Sequence, residues 1–193
     1  MTRPLPFIVF VSFLLAACET PAPAQKLPDL TFAHLGGLNL NVATLEVVSD
    51  YHAPLKKPNV EHLFPTPPEQ ALKRWAQDRL KAAGKRGSAR FVITRAAVTE
   101  TLLKTKTGIR GAFTTDQAER YDAVIEATLE ILGPGGIRKG FASTRVTRSR
   151  TVEEGISLNV REKIWFDLTE ALMKDFNAEM ENNIRRHLGG HLL

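Results

Sequence analysis

A single cysteine, Cys18, is all the chain has in 193 residues, so no disulfide can form within it and stability has to come from packing. Nor is there an apolar run long enough to cross a membrane. The run from Phe7 to Cys18 is 12 residues, against the ~18 to 20 a transmembrane helix needs. Neither sign of charge dominates: 26 Lys and Arg stand against 21 Asp and Glu, a net of +5. That reads as a mixed, solvated surface. Catalytic signatures are missing as well, with no G-x-S-x-G, H-E-x-x-H or Walker pattern. Gly133-Pro134-Gly135-Gly136 is no phosphate loop, because proline removes an amide donor and an apolar-alternating strand follows rather than a helix. His187 and His191 are separated by Gly189-Gly190, and His52, Glu61 and His62 lack metal-ligand spacing. No enzyme, metal site or cofactor is expected.

The informative stretch is at the start. Arg3 supplies a basic beginning, the segment from Phe7 to Leu15 a short apolar core, and Ala16-Ala17 a small-residue end, which together make a secretory signal peptide. Leu15-Ala16-Ala17-Cys18 resembles the lipobox of bacterial lipoproteins. That resemblance implies diacylglyceryl transfer to the Cys18 thiol, cleavage between Ala17 and Cys18, and acylation of the new amine. A rival site, Ala22-Pro23-Ala24, would release a soluble protein starting at Gln25, but it lies beyond the apolar run. Two or more acyl chains make a stable anchor at ~0.8 kcal/mol per buried CH₂. Glu19 follows the cysteine. In the enteric sorting rule an aspartate there retains a lipoprotein at the inner membrane, so its absence favours the outer one.

Losing residues 1–17 removes one charge, Arg3, and leaves 25 basic against 21 acidic side chains. A basic balance would suggest nucleic acid in a cytosolic protein. In the envelope the polyanions are lipid head groups and peptidoglycan, and no nucleic-acid partner is expected. Residues 18–28 hold three prolines and form a tether of up to ~30 Å. Residues 29–193 then make one domain.

Alternation over residues 38–48 predicts a first strand whose apolar parity switches midway. Thr66-Pro67-Pro68-Glu69 predicts a helix capped by Thr66 and stopped by Gly84, with Leu72, Trp75, Ala76 and Leu80 on its core face. Residues 89–103 predict a strand with a bulge near Arg95 that brings Phe91, Ile93, Ala96 and Val98 to one side. Tyr121 to Ile131 alternates strictly with an acidic face, and Gly133 to Gly136 turns it into a partner strand. Pairing Leu132 with Ile137 would set Ala127 opposite Ala142, Glu130 beside Lys139, and Arg145 between Asp122 and Glu126. Residues 157–188 predict a long helix with Asn159 and Glu162 as its capping pair and an apolar residue at every fourth position from Ile164 to Leu188. The fold class is α+β: an antiparallel sheet of about four strands packed by two helices, the C-terminal one long.

This order of elements resembles the small α+β domain of auxiliary lipoproteins that serve ABC-type lipid and lipopolysaccharide transport across the bacterial envelope. The likeness rests on the strand ending at Val48, the proline-bounded loop after Tyr51, the Trp75 helix and the C-terminal helix from Glu162. It carries over no functional residue. It implies a non-catalytic accessory lipoprotein held to the membrane through Cys18, with envelope protein or lipid partners. The alternative is a structural or regulatory lipoprotein contacting peptidoglycan or its synthases. Candidate partner contacts are Ile109 and Phe113, in a long basic connection, and Met180, Ile184 and Leu188, where the apolar stripe could overhang the sheet. Arg148 and Arg150, beyond the matched charges of the hairpin, are candidate anion contacts.

Overall fold

A computed structural model describes residues 26–103 and 117–193. Two helices cover one face of a four-stranded sheet, as the α+β expectation required. In chain order the elements are β1 (Leu38–Leu40), β2 (Thr44–Ser49), α1 (Pro68–Arg79), β3 (Leu80–Ala82), β4 (Ser88–Leu102), β5 (Gln117–Leu132), β6 (Arg138–Glu153) and α2 (Leu158–Leu188). The sheet order is β2-β4-β5-β6; β2 runs parallel to β4 and the other neighbours are antiparallel. The core runs from Phe32 to Leu188, so residues 26 onward carry a complete core of their own.

The single strand expected over residues 38–48 is two. Asn41 to Ala43 break it, and the halves join different sheets: β1 pairs in parallel with β3, β2 with β4. The parity switch marked that break. Residues 191–193 lie along β1, through Asn41 N donating to the His191 carbonyl (2.8 Å) and Leu193 N to that of Asn39 (2.9 Å).

Helix α1 departs from its expected ends. Pro67 sits at the cap with no side-chain hydrogen bond, so the Thr66–Glu69 box does not form. Glu69 instead accepts from Lys73 at 2.6 Å, and the Thr66 carbonyl accepts from Thr169 Oγ1 at 3.3 Å. The helix stops at Arg79 because Leu80 to Ala82 are drawn into pairing with β1, a tertiary gain that overrides helical periodicity. Gly84 serves a different purpose from ending a helix. A Cβ there would lie 2.5 Å from the Asn41 carbonyl carbon, so glycine permits this close backbone approach.

The bulge in β4 falls between Ile93 and Arg95, and Phe91, Ile93, Ala96 and Val98 are all fully buried. The β5–β6 hairpin forms, but two residues out of the expected register. Ala127 faces Thr144, Leu129 faces Ala142, and Arg145 lies directly across from Glu126 at 3.2 Å. A wider turn, closed by Gly133 N donating to the Ile137 carbonyl (2.8 Å), and a bulge after Ile131 account for the slip. An even-numbered slip keeps every side chain on its face, so alternation cannot detect it. Glu130 is held by Arg90 and Arg138 rather than by Lys139.

Helix α2 is capped by Ser157, whose Oγ accepts from Val160 N (3.4 Å), and not by Asn159 with Glu162. Its 31 residues extend ~46 Å. The 16-residue strands beneath extend ~54 Å. The end of the helix stays over the sheet, with Leu188 against Gly140 of β6, and no overhang exists.

Candidate functional site

That geometry decides the fate of several candidates. Met180, Ile184 and Leu188 are fully buried, so they are core and do not offer the partner contact expected of them. Thr144 Oγ1 donates to Met180 Sδ (3.7 Å), and Leu188 packs over Gly140. Arg148 is engaged by Asp175 (2.6 Å), which takes it out of a free anion site. Arg150 is exposed, opposite Tyr121 in the ladder. Ala17, Cys18, Ile109 and Phe113 lie outside the described residues.

What the fold does build is a dock for the segment that arrives from the N-terminus. Asp78, in the last turn of α1, accepts from Phe32 N (2.8 Å) and Thr31 Oγ1 (3.0 Å), and pairs with Arg74 (3.1 Å). Burial pushes this carboxyl up, but those hydrogen bonds outweigh it and hold Asp78 below the usual carboxylate range. Next to it, Arg79 is 2% exposed. Its Nη1 donates to the carbonyls of Leu35 and Gly36 and its Nη2 to Glu181 on α2. One guanidinium thus ties the incoming segment, α1 and α2 together. The sequence carried a signal for this that hydrophobic pattern alone passes over. Arg79 stands seven residues after Leu72, on the apolar stripe of its own helix.

Between the docked segment and α2 runs a groove of about 660 Å³. Leu30, Phe32 and Leu35 form one wall, Ala171 and Ala178 the other, with one charge of each sign on the lining, Glu170 and Lys174. Two alanines where the helix could carry larger side chains leave the space open. Trp75 lies beneath, fully buried, its Nε1 donating to Asn177 Oδ1 at 2.9 Å.

Two polar clusters elsewhere are structural. Glu61, 3% exposed, accepts from Tyr51 Oη (2.6 Å) and from Val98 N (3.1 Å). It thereby satisfies the edge of β4 where β2 has ended. Tyr121 Oη donates to Glu119 (2.5 Å), which also binds Arg161 (2.6 Å), beneath a stack of Phe64 on Trp165 with centroids 5.0 Å apart. Among the described residues no group of three or more His, Cys, Asp or Glu side chains is placed to hold a metal ion. No described helix is long and apolar enough to cross a membrane.

No family model and no curated protein matches the chain. Among solved structures it is similar to a minor lipoprotein from Acinetobacter baumannii, at 13% identity and a TM-score of 0.39, covering 79% of this chain and 96% of that one. It is also similar to rare lipoprotein B from Shewanella oneidensis, at 10% identity and a TM-score of 0.27, covering 72% and 97%. Likenesses this remote carry no argument about role.

Proposed function

We propose that the chain is a lipid-anchored envelope lipoprotein, acylated on Cys18 and facing the periplasm, whose domain binds rather than transforms its ligand. In this reading it is an accessory component of envelope lipid transport or outer-membrane assembly. The observation that carries it is the apolar groove beside Leu30, where the anchor segment enters the fold. A space of about 660 Å³ falls within the range of small-molecule sites. Its apolar walls suit an acyl chain, and Thr31, Glu170, Lys174 and Asn177 on the same lining suit a polar head group. Carboxylates inside the fold are committed to Tyr51, Arg161 and the docked segment, which favours binding over catalysis.

The test is lipid extraction from the chain beginning at Glu19, purified without detergent. Lipid is expected to co-purify, and Ala171→Trp, which fills the groove, should reduce it several-fold while the protein still melts cooperatively. Absence of lipid from the parent, or equal lipid in Ala171→Trp, would remove the groove from the function. Sedimentation of that lipid-free protein with purified peptidoglycan would instead favour a structural role at the cell wall.

A further inference from the structure

We infer that the end of the molecule opposite the α2 N-terminus is a docking surface for an anionic phospholipid bilayer, separate from the groove. Three elements meet there: the β3–β4 connection with Lys85 and Arg86, the β5–β6 turn with Lys139 after it, and residues 191–193. Arg86, Lys139 and His191 line one concavity of about 540 Å³. Arg86 also lines the adjoining one, of about 480 Å³, together with Lys85 and Leu193. Lys139 extends over Gly133, where a Cβ would meet its Cε at 2.7 Å.

Lys85, Arg86 and Lys139 are exposed, and among the described residues no carboxylate of Asp or Glu pairs with any of them. The nearest acid in the ladder, Glu130, is already held between Arg90 (3.1 Å) and Arg138 (3.2 Å). Around these cations stand aliphatic side chains in solvent: Ile137 is 62% exposed and Leu193 67%. Phe141, half exposed, lies 4.9 Å under the Arg138 guanidinium. Among the described residues the opposite end is of mixed sign, with Glu153 and Glu154 near Arg150.

Cations around protruding aliphatic residues match a bilayer surface, where head-group phosphates meet the charges and the aliphatic groups enter the interface. A protein partner of standard size would need a broader apolar centre than a turn and residues 191–193 provide. Geometry permits this docking once Cys18 is the anchor proposed above. Leu30 packs against α2 near Lys174, ~20 Å along the helix from Leu188. The eight residues from Cys18 to Lys26, where the described fold begins, can span up to ~28 Å. That reach exceeds the ~20 Å separation along α2, so this end can be brought to the membrane that holds Cys18. Tethering raises the effective concentration of such a surface to about millimolar, so a contact too weak to hold a free protein still orients an anchored one.

The experiment uses the chain from Glu19, which lacks the acylated cysteine and keeps the whole core, with sedimentable vesicles. It should co-sediment with phosphatidylcholine–phosphatidylglycerol vesicles at low ionic strength and not with phosphatidylcholine alone. Lys85→Glu/Arg86→Glu/Lys139→Glu should weaken binding at least ~10-fold. A charge-matched control away from both the groove and this end, Lys56→Glu/Arg95→Glu/Lys163→Glu, all exposed, should stay within about twofold of the parent. Ile137→Asp, at an exposed turn, probes the same end independently and should also weaken binding. No binding to anionic vesicles, or equal loss in both triple variants, would overturn the inference. An unacylated Cys18 would defeat the anchor and leave this result standing. Failed vesicle binding would defeat the surface and leave the anchor intact.

Discussion

Arg79→Ala is expected to destabilise the domain by about 3 kcal/mol or more. The substitution leaves the Leu35 and Gly36 carbonyls without a donor and Glu181 with Arg185 as its remaining cationic partner. It also leaves a cavity where the side chain is 2% exposed. For a domain of this size that corresponds to a fall in Tm of ~10 °C. Arg79→Lys keeps a charge but not the planar fork that serves three acceptors, so it should recover only part of the loss. Chemical denaturation of the three proteins checks this. A cost below ~1 kcal/mol for Arg79→Ala would mean that the N-terminal dock contributes little to the fold.

Glu61→Ala should cost about 2–5 kcal/mol, because it strands the Val98 amide and the Tyr51 hydroxyl in a buried site. Glu61→Gln retains an acceptor and should cost less. This cluster and the one around Tyr121 govern alkaline stability. Burial, reinforced by the hydrogen bond to Glu61, pushes the Tyr51 phenol well above its ordinary value. Burial and Glu119 do the same for Tyr121. Folded phenols thus keep protons that unfolded ones release near pH ~10. The native state binds more protons there, so stability is full below that pH and falls as pH rises past it. Tyr51→Phe and Tyr121→Phe should each flatten the decline. An unchanged slope in both would show that these hydroxyls are not protected by the fold.

Much of this architecture was readable residue by residue. Strict alternation gave β5, two apolar phases gave the β4 bulge at Arg95, and a repeat of four gave α2. The misses have physical causes. Hairpin register slipped by two because a turn bulge and an even shift leave the apolar face unchanged. Leu80 to Ala82 read as helix because their strand partner, β1, is about forty residues away in sequence. The overhang at Met180, Ile184 and Leu188 failed because sheet length depends on pairing, which the helix repeat does not report. Less of the site was readable. Alanines at 171 and 178 look like ordinary helix formers until Leu30 and Phe32 are brought against them. Arg79 could have been found, since a charge on an apolar stripe needs a buried partner.

Mass spectrometry of the mature protein, extracted from membranes, tests the anchored-lipoprotein reading most directly. The predicted result is a chain beginning at Cys18 and carrying acyl chains, with Cys18→Ala leaving the signal-bearing precursor or a form released from the membrane. A mature chain beginning at Gln25 with no acyl group would contradict it.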